Sequence, residues 1–262
     1  MKSYLTDLFV LSARERSHAP AWVVRCYLAL FRPPMGKTIR VDMVTSLLKD
    51  YDFRGKRVLD VGCGIGDLAF MLTARGADVV GVELDATKVA TATSVARRQR
   101  FEQLHFIAGD VTRLEQMKLG QFDVIFCLAL LEHIQDDVAL LRQMQRMLRS
   151  DGLFVMEVPN ARRHTIPQVE AEDGHMRAGY VFEEVPDLLA GTGFRVVKSQ
   201  TRDPLGLIYY WCLLSRLLPG SMARGRLFAL LAPLFIPLIQ WTSVCVQRPG
   251  SELCFVALKD EL

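Results

Sequence analysis

Residues 58–66 read Val-Leu-Asp-Val-Gly-Cys-Gly-Ile-Gly. Four residues of strand character run into three glycines at alternate positions, Gly62, Gly64 and Gly66, and a helix opens at Asp67. Glycine lets the backbone turn tightly and lets a ligand lie where a Cβ would clash. The exposed amides at the start of the following helix favour a negatively charged ligand group. Strand, glycine turn and helix in that order make a nucleotide-cradling unit. Spacing narrows the choice of nucleotide. The dinucleotide fingerprint is G-x-G-x-x-G, and the residue that should be its last glycine is Asp67. That disfavours an NAD-dependent oxidoreductase.

The pattern present is Asp60-x-Gly62-x-Gly64-x-Gly66, and further elements follow at regular distances. A second strand, Asp78–Glu83, ends in a carboxylate 17 residues after Gly66. A third, Leu104–Ala108, runs into Gly109-Asp110. A fourth, Phe122–Cys127, leads into Leu-Ala-Leu-Leu-Glu132-His133-Ile, and a fifth, Gly152–Val158, ends in Pro159-Asn160. Together these elements resemble the class I S-adenosylmethionine-dependent methyltransferases over about residues 55–200, and within them the small-molecule and quinone O-methyltransferases. The resemblance implies an α/β, Rossmann-like fold with a seven-stranded, mostly parallel sheet of order 3-2-1-4-5-7-6 and helices on both faces.

The cofactor implied is S-adenosylmethionine, with S-adenosylhomocysteine as product. Gly62, Cys63, Gly64 and Gly66 would form its cradle. Glu83 can accept from both ribose hydroxyls, and an ionised acceptor strengthens such bonds; it could also cap the next helix, as could Asp85. The resemblance implies that Asp110 reads the adenine amine and that Val111 lies at the ring, although a Gly-Asp pair is also an ordinary turn. Leu84 and Cys127 complete the expected cofactor-binding set. Asp60 is buried by position, and a buried carboxylate needs partners; the resemblance supplies the loop backbone and the methionine amine. Cys63, between two glycines, reads as packing.

Transfer to a hydroxyl requires removal of a proton, and histidine is the usual agent. The candidates are His133, after the fourth strand, and His175 in Gly174-His-Met-Arg177, which resembles the G-H-x-R segment found over the acceptor pocket in related enzymes. Glu132 could orient His133 or bind a metal. Some quinone O-methyltransferases carry a further glutamate three residues earlier for a metal; position 129 is alanine here, so no metal site is assigned.

Charge is nearly balanced, 32 basic against 29 acidic residues, which gives no electrostatic case for nucleic acid. Arg142, Arg146 and Arg149 have helical spacing and read as a solvated face after the fourth strand. The six cysteines show no metal or disulfide pattern and suit a reducing compartment. No secretory signal is read at the start, so the closing Lys-Asp-Glu-Leu is taken as coincidence.

The organisation expected is an N-terminal helical cap over 1–54, the cofactor-binding core over 55–200, an apolar helical insertion over 201–251 and a final core strand over 252–262. The second cap helix is expected near Lys37–Asp50. The insertion separates an antiparallel strand pair, Phe194–Gln200 and Glu252–Leu258. It carries 14 apolar-rich residues at Leu205–Leu218 and 20 uncharged ones at Leu227–Val246. Twenty residues approach a bilayer span, but a chain that must return to the same sheet cannot cross once. Crossing as a hairpin would carry Arg224 and Arg226 through, which is costly. A monotopic contact of residues 205–247 fits better, with Tyr209, Tyr210, Trp211 and Trp241 at headgroup level. The expected enzyme is thus cytoplasmic and peripheral at a membrane, methylating a small hydrophobic or lipid-linked acceptor. Two alternatives stand beside it. One is a soluble small-metabolite methyltransferase whose insertion is a lid or homodimer interface; the other is a non-catalytic S-adenosylmethionine-binding protein.

Overall fold

Strand β1 (Arg57–Val61) is buried along almost its whole length, as a strand covered on both faces must be. It lies between β2 (Asp78–Glu83) and β4 (Phe122–Leu128), parallel to both. The computed structural model describes residues 43–44, 46–163, 174–203, 238, 241 and 250–260. Outward from β2 comes β3 (Leu104–Ala108); outward from β4 come β5 (Leu148–Pro159), β7 (Glu252–Lys259) and β6 (Phe194–Arg202). The order is β3-β2-β1-β4-β5-β7-β6, with β7 antiparallel to both neighbours. This is the topology expected.

Successive strand residues point to opposite faces, and two cores result. Leu59, Ile125, Phe154 and Phe255 face the side covered by α3 (Asp137–Met147) and α4 (Val185–Ala190). Val58, Phe126, Val155 and Val256 face α1 (Asp67–Thr73) and α2 (Ala86–Arg98), with Phe70 and Val95 opposite. Asp85 caps α2 through the amides of Thr87 and Lys88, at 2.9 and 3.3 Å.

One expectation needs correcting. Arg149 is not on the helix with Arg142 and Arg146. Helix α3 ends at Met147, Leu148 turns extended, and Arg149 lies in β5, where it binds Asp123 at 2.7 Å. Arg146 pairs with Glu115 rather than standing in solvent alone. Strand β5 therefore begins four residues before Gly152, and its register with β4 shifts between Phe122 and Val124.

Residues 43, 44, 46 and 47 are helical, within the range expected for the second cap helix, and 48–54 form the turn that leads into β1; the rest of the cap, 1–42 and 45, lies outside the described residues. So does most of 205–247, where Leu238 and Trp241 alone are described, both exposed. Among the described residues no helix is long and apolar enough to cross a membrane. Both ends of the insertion are defined. Arg202 pairs with Glu252, and Glu252 pairs with Pro159. Asn160 receives the chain back, its Nδ2 donating to the Gly250 carbonyl at 2.7 Å and its N–H to Ser251 O at 2.9 Å. The insertion thus leaves and returns at the C-terminal edge of the parallel strands.

Candidate active site

In an open parallel sheet, ligands bind outside the C-terminal strand ends, and the candidate residues gather at that edge. After Val61 the glycine loop is stitched to β2: the amides of Gly62 and Cys63 both donate to Val82 O, at 2.8 and 3.0 Å. All three glycines have positive φ: 72° at Gly62, 58° at Gly64 and 86° at Gly66. Their surroundings differ. A Cβ on Gly66 would lie 2.5 Å from the Phe106 ring, and one on Gly62 would lie 3.0 Å from Leu130. At Gly64 nothing stands within 4 Å. Gly66 and Gly62 are therefore needed by packing, whereas Gly64 faces open space that a ligand can fill.

Glu83 closes this space at the tip of β2. One carboxylate oxygen accepts from the Gly64 amide at 2.9 Å and the other from the Asp85 amide at 3.1 Å. A carboxylate offers about four lone-pair positions, so Oε2 keeps capacity for a hydroxyl, while Oε1 also faces the Lys88 ammonium at 3.5 Å. The helix cap is Asp85, which leaves Glu83 turned toward the loop. Leu84, next to it, is 72% exposed. Asp110 accepts from the Thr112 hydroxyl and amide at 2.8 and 2.9 Å, and these bonds hold its carboxyl below the ordinary range. It caps the 3₁₀ turn Val111–Met117, so its turn role is present; the carboxylate remains exposed, while Val111 is buried.

Three carboxylates lie buried beneath this edge: Asp60, Glu132 and Glu157 are all nearly fully buried. Burial first, then the charges of Glu132, Asp60 and Glu157, push the Cys127 thiol well up. Cys127 is itself fully buried in the core, so only its backbone can reach the cleft. Burial, Asp60 and Glu83 likewise raise Cys63, whose sulfur lies under the loop against Gly81. A field of this sign suits a cationic ligand and opposes a diphosphate. Asp67, in the first turn of α1, opposes a phosphate in the same way. The open space at Gly64, the Glu83 acceptor and the buried carboxylates fit S-adenosylmethionine, which carries a sulfonium and an ammonium.

On the other side of the loop, β4 turns through Ala129, held at φ 48°, into the 3₁₀ turn Leu131–His133. His133 and His175 meet there, edge to face, with ring centroids 4.6 Å apart. His133 Nδ1 is 3.3 Å from the Gly174 carbonyl. A carbonyl only accepts, so in this contact Nδ1 is the donor, and Nε2 is the ring nitrogen turned away from it. Glu132 Oε1 lies 4.0 Å from Nε2, placed to stabilise an imidazolium. Glu132, His133 and His175 bring one ligand atom each within 4.8 Å of one another. Zinc at about 2.1 Å from nitrogen and oxygen draws its ligands closer than that, so the set would have to contract to hold an ion.

The two histidines are 42 positions apart, and each was a separate candidate from sequence. A strap, residues 174–180, brings them together. Met176 and Arg177 donate to Glu132 O at 2.8 and 3.3 Å, and Tyr180 donates to Pro159 O at 2.8 Å. Asp137, Arg177 and Tyr180, which anchor the strap, escape sequence reasoning. The only sequence signal was Arg177 in the Gly-His-Met-Arg segment; at the start of α3 the cap is Asp136, which accepts from the Ala139 amide.

A family model described as a methyltransferase domain matches residues 52–201. The ubiquinone biosynthesis O-methyltransferase of Acinetobacter baumannii (strain AYE) is 34% identical over 98 residues, 37% of this chain and 41% of that protein. That of Psychrobacter cryohalolentis is 36% identical over 107 residues, 40% and 42%. The match thus spans about two fifths of these relatives. Among solved structures, magnesium protoporphyrin IX methyltransferase from Synechocystis PCC 6803 with bound S-adenosylhomocysteine superposes with a TM-score of 0.57 at 16% identity, covering 99% of this chain and 100% of that one. Phosphoethanolamine N-methyltransferase 2 of Haemonchus contortus gives 0.63 at 16%, covering 99% and 59%. The cyclase SpnF gives 0.59 at 18%, covering 84% and 81%. At these identities the superpositions show the fold alone.

Proposed function

The chain belongs to the methyltransferase-domain family and is an S-adenosylmethionine-dependent methyltransferase, and from that premise we propose that it O-methylates a hydrophobic, quinol-like or lipid-linked hydroxyl. The observation that carries this reading is the His133–His175 pair beside buried Glu132. It supplies a base across the glycine loop from Glu83. Asp60, Gly62, Gly64 and Glu83 would hold the cofactor, with Leu84, Asp110 and Val111 at its adenosine end. Bound S-adenosylmethionine supplies an electrophilic methyl group and leaves as S-adenosylhomocysteine. His133 Nε2 takes the hydroxyl proton, Glu132 stabilises the resulting imidazolium, and His175 fixes the plane of the His133 ring. A positioned base of this kind contributes typically about 10²–10⁴-fold. The relatives' names, ubiquinone biosynthesis O-methyltransferase, favour a quinol-type acceptor.

The same reading places residues 205–247 against a membrane surface, with the enzyme cytoplasmic and peripheral. What supports it is the apolar sequence of the insertion and its departure from the edge that carries the site. An acceptor with an isoprenoid tail would then be reached without leaving the lipid. The test is transfer from methyl-tritiated S-adenosylmethionine to a polyprenylated catechol and to plain catechol. Methylation of the prenylated acceptor, reduced at least tenfold in His133→Ala, is expected. Equal turnover of both catechols would refute the hydrophobic acceptor; unchanged turnover in the variant would refute the base. Co-sedimentation with phosphatidylglycerol vesicles, abolished on deletion of 205–247 in a chain that still binds S-adenosylhomocysteine, tests the membrane contact. Sedimentation that is absent from the full chain sinks it.

A further inference from the structure

The strap that carries His175 is held from below by one carboxylate. Asp137, in the first turn of α3, is 4% exposed. The hydroxyl of Tyr180 donates to its Oδ2 at 2.6 Å, and Arg177 Nη1 lies 3.0 Å from the same oxygen. The Arg177 guanidinium also stands 5.0 Å from the Tyr180 ring centroid. Burial, and then the bond to Asp137, push the Tyr180 hydroxyl up, so it stays a donor. Helix α3 has no need of Asp137 as a cap, because Asp136 already accepts from the Ala139 amide at 2.9 Å.

The clasp acts on a short lever. Arg177 is two residues from His175, and its own amide and that of Met176 bond the carbonyl of Glu132, the residue before His133. Tyr180 closes the other end on Pro159, and Arg163 braces the middle through Ala178 O at 2.6 Å. Every one of these ties ends on a residue next to, or three to five residues from, one of the two histidines. The strap is thus tied, on the C-terminal side of His175, both to the turn that carries His133 and to the start of α3.

We propose that Asp137 is a positioning residue for methyl transfer: through Arg177 and Tyr180 it seats His175 against His133. The inference rests on the base assigned to His133 above. A buried carboxylate bonded by a tyrosine and an arginine is expensive to disturb, since removing it leaves its two partners' polar groups without their acceptor. Losing it lets the strap move, and a displacement of about 1 Å at a reacting group can reduce turnover by about 10²-fold.

The test uses the full chain with histidine labelled at ¹³Cε1, in the wild type and in Asp137→Ala, Asp137→Asn and Tyr180→Phe. Two quantities are read: the ring-to-ring nuclear Overhauser effect between His133 and His175, which needs no substrate, and steady-state methylation of the polyprenylated catechol. S-adenosylhomocysteine affinity reports that each variant is folded. We expect Asp137→Ala to abolish the Overhauser effect and to reduce kcat about 10²-fold, with KM for S-adenosylmethionine unchanged. Asp137→Asn, which can still accept from Tyr180, recovers most of both, and Tyr180→Phe falls between. An Overhauser effect that persists in Asp137→Ala overturns the proposal whatever the turnover. If the effect vanishes while kcat stays at the wild-type value, the proposal is overturned as well, and His133→Ala then says which idea failed. If kcat falls in His133→Ala, only the positioning is wrong; if it does not, the base assignment is wrong too.

Discussion

Gly64→Ala and Gly66→Ala should separate the two demands on the glycine loop, because the residues share a backbone conformation and differ in what surrounds them. At both, φ is left-handed, 58° and 86°, and alanine there costs about 1–2 kcal/mol. At Gly64 a Cβ meets nothing within 4 Å, so that is the whole effect on stability. In a domain of this size it corresponds to a fall in Tm of roughly 2–8 °C. At Gly66 the Cβ arrives 2.5 and 2.7 Å from two atoms of the Phe106 ring. That ring can shift only by disturbing its packing on Phe70, with centroids 5.7 Å apart. Overpacking of this kind adds about 1–3 kcal/mol, so the total reaches about 2–5 kcal/mol, a large part of a normal stability of about 5–15 kcal/mol. Binding should rank the other way. The methyl of Gly64→Ala enters the space assigned to the cofactor, and about 1–3 kcal/mol of repulsion weakens S-adenosylhomocysteine by roughly 5- to 150-fold. Scanning calorimetry and isothermal titration on the same preparations measure both. A Gly64→Ala protein that binds as tightly as wild type would refute the assignment of that space to the ligand.

Three further outcomes are expected. Gly179→Ala should unseat the strap, because φ is 140° and a Cβ would collide with the Pro159 carbonyl, a backbone group with no room to give; methylation should fall more than tenfold while S-adenosylhomocysteine affinity holds, and an unchanged rate contradicts this. Asp123 sets an acid limb: burial would push its carboxyl up, but the Arg57 amide at 2.7 Å and Arg149 hold it below the ordinary range. Its contribution is therefore present above the unfolded value of about 3.9 and lost as pH falls through the depressed one, so urea titrations should show Asp123→Asn less stable at pH 7 and flatter below pH 4. Phe194, fully buried and stacked on Phe154 at 4.6 Å, should cost about 3–5 kcal/mol as Phe194→Ala, read by the same titration, with the urea midpoint moving far less if β6 is not part of the cooperative core.

Much of this was legible in the chain for identifiable reasons. Strands β2 and β3 are bounded where the sequence suggests because Glu83 closes the first apolar run and Gly109 follows the second, which ends at Ala108. The start of β5 was not legible. Leu148-Arg-Ser-Asp-Gly152 is polar and closes on a glycine, so it reads as the end of a helix. It becomes strand because Leu148 pairs with Phe122 and Arg149 finds Asp123 across the register shift. The cradle could be read because its residues are near one another in sequence. The histidine pair could not, since the two rings come from segments 42 positions apart, joined by contacts such as the bond across 43 positions between Asp137 and Tyr180, and such contacts leave no local periodicity.

The central claim is that the loop of Gly62, Gly64 and Gly66, together with Glu83, binds S-adenosylmethionine. Calorimetric titration of S-adenosylhomocysteine and of NAD into the wild type and into Glu83→Ala tests it most directly. Loss of bonds from both ribose hydroxyls to a charged acceptor is worth about 1.5–3 kcal/mol each. The account predicts micromolar binding of S-adenosylhomocysteine, weakening by at least about 10²-fold in the variant, and no heat from NAD. Heat from NAD alone, or equal S-adenosylhomocysteine affinity in both proteins, would contradict it.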